Sequence, residues 1–130
     1  GKPPVVAKWL RFAAPAAHHH DGAGVAAYCF VADVPFESRV IEMAIGALQH
    51  SFGADLLRIK GLVALQDSPD QPTLIHVVQH LVSPWRRLPD WPVDMQGTRL
   101  VVIVAGAGRA ELPDMLTRFA PEFQRVGQGW

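Results

Sequence analysis

The sequence predicts an α+β domain with the element order β-α-β-β-β-α and a mostly antiparallel four-stranded sheet that carries two helices on one face. Four stretches are rich in β-branched and aromatic residues, and two others repeat apolar residues at helical spacing. The second and third of these strands are joined only by the turn QDSPDQP, which favours an antiparallel hairpin. With 130 residues, of which 49% are hydrophobic and 18% charged, the chain can bury the core of one domain.

The first strand and the first helix are predicted at residues 25–34 and 36–52. The strand sequence, VAAYCFVADV, is dominated by the residue types that pleated sheets favour. Pro35 fits the first turn of a helix, where its missing N–H is no loss, and Gly53 fits the position after the last turn. The residues that recur at helical spacing are Phe36, Val40, Ala44, Ala47 and Leu48.

The other elements follow in the second half of the sequence. Strands are predicted at residues 56–65, 73–82 and 98–106, and the proline- and tryptophan-rich stretch 83–97 is predicted as an irregular loop. A short amphipathic helix comes last, with Pro113 in its first turn and Pro121 after its end. Its apolar positions are Leu112, Met115, Leu116 and Phe119.

Composition sets the limits of the folded part. Residues 1–23 contain three prolines, a histidine run and Gly22, which indicates a linker or inter-domain segment. The folded domain is expected at residues 24–121, and residues 122–130 lack periodicity and are expected to form a loosely held tail. Lys8 and Arg11 interrupt what would be the apolar region of a signal peptide, so that alternative is rejected.

Alternation along the strands assigns side chains to the two faces of the sheet. In the second strand, Arg58 and Lys60 share the face opposite the helices. In the third strand, His76 and His80 share that face, so all four residues are expected to line it together. They are either the polar surface that an uncovered face requires or an interaction face. The apolar positions assigned to the helix side are Leu57, Ile59, Val63, Leu65, Ile75, Val77 and Leu81, and Gly61 is expected on that side too, close to a helix.

Charge and cysteine content exclude several classes of protein. The formal net charge is zero, from twelve basic and twelve acidic residues, so no overall field attracts the domain to nucleic acid or to an anionic membrane. No apolar run approaches the length of a transmembrane helix. Cys29 has no second cysteine to pair with and is expected to be a buried thiol, which fits a reducing cytoplasm.

Four segments resemble one known family when taken in order and with their spacing. The segments HHHDGAGVAAYCF, DLLRIKGLVAL, TLIHVVQHLV and TRLVVIV resemble the C-terminal domain of the CobW family, over about residues 18–120. Members of that family are P-loop GTPases linked to metal trafficking, including cobalamin biosynthesis and the supply of zinc. The resemblance implies that the chain is the C-terminal domain of a larger protein. Its implied partners are an upstream GTPase domain of the same protein and a client that accepts metal.

The GTPase motifs of such a protein are missing from this chain. No G-x-x-x-x-G-K-[ST] segment occurs. The stretch AGAGRAE (105–111) lacks the third glycine of a dinucleotide-binding loop and the lysine of a phosphate loop, so it is predicted to be a turn. The chain by itself is therefore expected neither to bind nor to hydrolyse GTP.

The three adjacent histidines, His18, His19 and His20, are the candidate metal ligands. Neutral imidazole binds zinc and other divalent transition metals, and Asp21 offers an additional oxygen. A tight site needs about four converging ligands, so the run predicts a weak, transient site and no tightly bound cofactor. The alternative is a solvated hinge in which the histidines bind nothing.

Three functions from different classes remain. The leading one is a non-catalytic interaction or regulatory domain of a GTP-dependent metallochaperone that docks through Arg58, Lys60, His76 and His80. The second is a small enzyme with His76 or His80 as general base, although no nucleophile or pair of carboxylates stands at a suitable spacing. The third is an RNA-binding sheet, which the zero net charge and the lack of an aromatic pair on the central strands argue against.

Overall fold

The computed structural model describes residues 24–126 and shows an α+β fold with two α-helices, two short 3₁₀-helices (Gly53–Asp55 and Arg109–Glu111) and seven strands. The helices are α1 (Ser38–Phe52) and α2 (Leu112–Phe119). The strands are β1 (Val25–Ala32), β2 (Leu56–Val63), β3 (Thr73–Val78), β4 (Leu81–Val82), β5 (Arg86–Arg87), β6 (Thr98–Ala105) and β7 (Gln124–Val126). The fold class and the order of the long elements are therefore those that the sequence predicts.

The strands form one antiparallel sheet in the order β4-β3-β2-β6-β1-β7, and β5 also pairs with β3. The two long strands β2 and β6 lie in the middle of this sheet. The prediction of four strands was too low because β4, β5 and β7 have only two or three residues each. A segment of that length cannot show the alternation by which strands are recognised.

Both helices pack on the same face of the sheet. One core cluster joins apolar residues of α1 and α2 to alternate residues of the four long strands. Its largest fully buried side chains include Phe30, Phe36, Leu48, Ile59 and Leu116. No helix within residues 24–126 is both long and apolar enough to cross a membrane.

Phe36 and Pro35 lie outside the helix that was predicted to contain them. Helix α1 begins at Ser38, while Phe36 forms an isolated parallel bridge with Leu65. The Phe36 N–H donates to the Ala64 carbonyl at 2.9 Å, and the Phe36 carbonyl accepts from the Gln66 N–H at 2.8 Å. Since these bonds use both backbone groups of Phe36, the helix begins only after it. At the other end, Gly53 caps α1 as predicted.

The strand predicted at residues 73–82 is a tight hairpin instead. Strand β3 ends at Val78, the chain turns at Gln79 and His80, and β4 folds back so that Val78 faces Leu81. Gln79 has φ of 55°, which ends the extended conformation.

A β-bulge in β2 changes the predicted side of one residue. The register with β6 shifts between Leu56 and Arg58, and Leu56 is fully buried in the helix-side core. Leu57 packs on the opposite side, against Val101 and its neighbours. The assignment of Leu57 to the helix side was therefore wrong, because an extra residue in one strand reverses the alternation before it.

The C-terminal boundary also differs from the predicted one. Residues 124–126 form the edge strand β7, which pairs with Cys29, Phe30 and Val31 of β1. Phe123, just before β7, lies in the core. The folded domain thus extends at least five residues beyond the predicted limit at residue 121, into the segment expected to be a loose tail.

Candidate interaction face

The sheet has a second face, on which neither of the two described helices packs, and its membership follows from the strand registers. Lys60 is opposite His76 on one side and Val101 on the other, and Val101 is opposite Cys29. The same registers define two neighbouring rows of opposed residues. One row is Ala27, Ile103, Arg58 and Val78, and the other is Val31, Arg99, Leu62 and Leu74. We call the resulting surface the basic face; its residues are Ala27, Cys29, Val31, Arg58, Lys60, Leu62, Leu74, His76, Val78, Arg99, Val101 and Ile103.

Four nitrogen-bearing side chains are concentrated in the middle of the basic face. Lys60 is directly opposite His76, which places their Cβ atoms about 5 Å apart. Arg99 is opposite Leu62 and hence diagonal to Lys60, at about 7–8 Å. Arg58 precedes Lys60 by two residues on the same strand, about 7 Å away. All four groups therefore start from one small area of the sheet.

None of the seven strands within residues 24–126 contains an acidic residue. Every Asp and Glu among residues 24–126 lies in a helix or a loop. The basic residues in the strands are Arg58, Lys60, Arg86, Arg87, Arg99 and Arg125. The zero net charge of the chain therefore conceals a strong separation of charge, with an excess of positive groups in the sheet.

Burial and the neighbouring positive charges lower the pKa of both Lys60 and His76. Only 6% of Lys60 is exposed, and its pKa is lowered first by burial and then by the charge of Arg58. The pKa of His76 is lowered by burial, then by Lys60 and Arg58. The basic face therefore favours a neutral His76 at pH 7. Arg58, Arg99 and His76 are partly exposed.

Three of the four residues predicted for the interaction face are brought together, and one is not. Arg58, Lys60 and His76 share the basic face, whereas His80 lies in the exposed turn between β3 and β4. Arg99 was missed by the sequence prediction. It stands out as the one charged residue of its strand, but its position next to Lys60 depends on the pairing of β2 with β6, which no local pattern shows.

The rest of the basic face is apolar. Cys29, Val101 and Ile103 form a small buried cluster, and Leu57 and Met95 pack against it. Cys29 is a buried thiol, as predicted. The face therefore combines a basic centre with aliphatic surroundings.

The predicted metal ligands lie outside the described residues. His18, His19 and His20 all precede residue 24, where the description begins. Between residues 24 and 126, no three His, Cys, Asp or Glu side chains are grouped so that they could hold a metal ion. The hypothesis of a metal site stays with the histidine run.

In the segment AGAGRAE, residues 106–108 form a turn, as predicted, and Arg109–Glu111 form a short 3₁₀-helix after it. The chain's own groups fill this turn. Gly106 has φ of 93°, and its N–H donates to the Gly24 carbonyl at 3.0 Å. The Arg109 guanidinium donates to the Gly106 carbonyl at 2.7 Å, and the Tyr28 hydroxyl donates to the Arg109 carbonyl at 3.1 Å. The Asp55 carboxylate lies against Gly106, where it would repel a phosphate.

A groove of about 560 Å³ lies on the helix side of the molecule. Its lining residues are Glu42, Ile45, Gly46, Gln49, Val82, Ser83, Pro84 and Trp85. Neither His76 nor His80 lines it. The groove therefore gives no support to the alternative in which one of these histidines acts as a general base.

Comparisons with known proteins agree with this architecture. Residues 25–120 match the family described as the cobalamin synthesis protein cobW C-terminal domain. Two solved structures share the fold. The zinc-bound YjiA GTPase from E. coli has a TM-score of 0.60 and 19% identity over 74% of this chain. A zinc-bound triple mutant of YjiA has a TM-score of 0.61 and 18% identity over 74% of this chain. The match spans only 30% of either solved chain. No curated protein sequence matches the chain.

Proposed function

The chain belongs to the family of CobW C-terminal domains, and we propose that it is a non-catalytic interaction and regulatory domain of a GTP-dependent metallochaperone. Its direct partner in this proposal is a GTPase domain that precedes it in the same protein. The two solved structures with this fold are GTPases of which the matching region is less than a third, which supports such an arrangement.

The observation that carries the proposal is the basic face. It lies opposite the helices, and around its buried centre it has partly exposed aliphatic and basic side chains. These are Val31, Leu74, Val78, Arg58, Arg99 and His76. Contacts to the partly exposed aliphatic residues would supply the affinity for a docked domain, and Arg58, Arg99 and His76 would fix its orientation. Contacts made by Arg58, Arg99 and His76 would also depend on the conformation of the docked GTPase domain, which would connect nucleotide hydrolysis to this domain.

Metal enters the proposal as cargo. The two solved YjiA structures hold Zn(II), and we propose that His18, His19 and His20 offer a weak holding site for zinc or a similar metal. Delivery to a client protein requires a site that releases its metal readily. A short histidine run with few fixed ligands meets that requirement.

The test uses the coding sequence that precedes this chain. If it encodes a P-loop GTPase region, that region is produced and titrated with the 130-residue chain by calorimetry, and GTP hydrolysis is measured with and without the chain. We expect stoichiometric binding and a changed hydrolysis rate. Absence of both effects, or absence of a P-loop, contradicts the proposal.

A further inference from the structure

The centre of the basic face is buried, although both described α-helices pack on the other face of the sheet. Cys29, Val101 and Lys60 follow one another across β1, β6 and β2, and they are only 3%, 2% and 6% exposed. Ile103, in the next row, is 7% exposed. A side chain in the middle of a sheet face stays in contact with water unless another layer packs on that face. The burial of these residues therefore requires a covering layer.

Residues 24–126 supply only part of that layer. Within this range, the partly buried apolar side chains that pack against the buried cluster are those of Val25, Leu57, Met95 and Val126. Val25, Leu57 and Val126 belong to strands of the same sheet, so they lie beside the cluster rather than over it. Met95 comes from the loop before β6. A single methionine cannot cover a row that crosses four strands and is about 14 Å wide from β1 to β3.

The part of the chain that precedes residue 24 carries the apolar side chains that such a layer needs. Its stretch PPVVAKWLRFAAP (3–15) has apolar residues spaced as on one side of a helix, namely Val6, Trp9, Leu10 and Ala13. With the same spacing, Lys8 and Arg11 fall on the other side. A helix as short as this is stable only when its apolar side is packed against another surface. The stretch therefore needs an apolar surface such as the centre of the basic face.

The connection to β1 is long enough to bring this stretch over the basic face. From Val25, at the start of β1, the centre of the face lies about 13 Å along the strand and about 10 Å across the sheet, or roughly 16 Å away. Residues 14–23 can span about 33 Å when extended. The C-terminal residues 127–130 offer only one large apolar side chain, Trp130, which is too little to cover four strands.

We propose that residues 5–13 pack over the centre of the basic face as an internal cover. The side of the segment that carries Trp9 and Leu10 would lie against the buried cluster that includes Val101 and Ile103. This contact goes beyond the proposed function and does not depend on it. A docked GTPase domain would contact the partly exposed residues around the cover and the outer side of the cover itself.

An apolar cover is compatible with the charge of Lys60. Lys60 has an interaction partner, as do His76 and Arg99, so its burial does not leave an isolated charge. The same burial lowers the pKa of Lys60. The cover therefore accounts for the burial of Lys60 as well as for that of its aliphatic neighbours.

The thiol of Cys29 reports whether the cover is in place, because it is the chain's single cysteine and lies in the buried centre. The experiment measures the rate at which iodoacetamide alkylates Cys29 in the native 130-residue chain. Trp9→Glu places a charge on the apolar side of the segment and should raise this rate at least about tenfold. Ala7→Glu adds the same charge on the other side and should leave the rate unchanged. Urea unfolding of both variants gives the part of the rate that passes through complete unfolding.

A second cysteine locates the cover directly and gives a result even if Trp9→Glu fails to fold. Trp9→Cys or Leu10→Cys should form a disulfide with Cys29 within one chain under mild oxidation. Ala7→Cys, on the other side of the segment, should form it at least about tenfold more slowly than the faster of these two variants. Mass spectrometry identifies the linked residues, and gel electrophoresis without reducing agent separates links within one chain from links between chains.

Several results overturn the inference. One is an unchanged alkylation rate in Trp9→Glu, and another is an equal increase in Ala7→Glu and Trp9→Glu. Faster alkylation in Trp130→Glu alone would assign the cover to the C-terminal residues. Disulfides between two chains rather than within one would assign it to a second copy of the chain. None of these results depends on binding of the GTPase region, so the inference and the proposed function fail separately.

Discussion

At the scale of single residues, Lys60 and Gly61 are neighbours in β2 but lie on opposite faces of the sheet, in different surroundings. Gly61 lies on the helix side of β2, as predicted, but the atoms that confine it belong to β6 rather than to a helix. A Cβ at Gly61 would meet the Arg99 carbonyl oxygen and lie 2.8 Å from Leu100 Cδ1 and 2.9 Å from Leu100 Cα. Lys60, the preceding residue, is buried on the other face and has a lowered pKa.

Gly61→Val is therefore expected to destabilise the domain far more than Lys60→Met. Valine at position 61 must push two paired strands apart, at a cost of about 2–4 kcal/mol in the free energy of unfolding. Lys60→Met keeps most of the side-chain volume and removes a desolvated charge, so it should change that free energy by about 1 kcal/mol or less. Urea unfolding of both variants checks the prediction. Equal destabilisation would mean that Gly61 is not confined by β6.

His76 should make the stability of the domain depend on pH in the mildly acidic range. Its pKa is lowered by burial, Lys60 and Arg58, whereas in the unfolded chain it stays near 6.5. Below about pH 6.5 this histidine binds a proton in the unfolded state but stays neutral in the folded state until the lower, folded-state pKa is reached. The free energy of unfolding therefore falls as the pH falls from about 6.5 toward the pKa of the folded state. For one proton this slope is at most about 1.4 kcal/mol per pH unit.

His76→Gln removes this linkage and His80→Gln is the matched control, because His80 lies in an exposed turn. Denaturant unfolding of both variants at a series of pH values should give a flatter dependence for His76→Gln and a wild-type dependence for His80→Gln. Parallel curves for His76→Gln and the wild type would show that His76 takes up its proton equally well in the folded state.

At the scale of elements, the sequence predicted helices and strands from their repeating apolar patterns. It missed features that depend on a single position. The helix at Leu112–Phe119 spans the apolar positions predicted for it, because their spacing and the two prolines indicate the same segment. The bulge at Leu57, the bridge at Phe36 and the turn after Val78 each depend on a single residue or on a distant partner. Periodicity carries no information about such features.

The turn between β3 and β4 gives a prediction at this scale. Gln79 has φ of 55° at the first position of a two-residue hairpin loop, a conformation that glycine adopts more readily. Gln79→Gly should therefore raise the free energy of unfolding by roughly 0.5–1 kcal/mol. The Gln79 N–H, which donates to the Leu57 carbonyl at 3.1 Å, is retained in this variant. Thermal unfolding measures the change.

His80→Gly tests whether the effect is specific to the left-handed position. His80 is not among the residues with positive φ, so glycine there gains nothing in the folded state and costs backbone entropy. It should lower the melting temperature slightly. If Gln79→Gly lowers the melting temperature as much as His80→Gly, the strained conformation at Gln79 is not present in solution.

At the scale of the whole molecule, charge is separated although its sum is zero. The sequence shows twelve basic and twelve acidic residues, from which no field is expected. Folding places the acids of residues 24–126 in loops and helices and collects basic residues in the sheet. Arg99 joins Lys60 only because β2 pairs with β6 across about forty intervening residues. The sequence could therefore predict that Arg58, Lys60 and His76 share a face, because they lie in the hairpin of β2 and β3. It could not predict that Arg99 of β6 joins them.

The chain by itself is expected not to bind GTP. It contains no phosphate loop, and its nearest glycine-rich turn is filled by the side chains of Arg109 and Asp55. Titration of labelled GTP into the 130-residue chain should show no saturable binding in the presence of magnesium. Stoichiometric binding would contradict this expectation, because the domain would then have a nucleotide site that is not a glycine-rich phosphate loop.

Weak binding of zinc is expected from the histidine run. The run offers few ligands and loses chain entropy when it binds metal, so we expect a dissociation constant of about one micromolar or higher. Because only neutral imidazole binds metal, the affinity should fall as the pH drops through about 6.5. Calorimetric titration should show binding abolished when His18, His19 and His20 are all replaced by alanine, and largely kept when His76 and His80 are replaced.

If the triple variant binds zinc like the parent, the run is only a linker. If only the variant at His76 and His80 loses binding, the metal site lies on the sheet near the basic face.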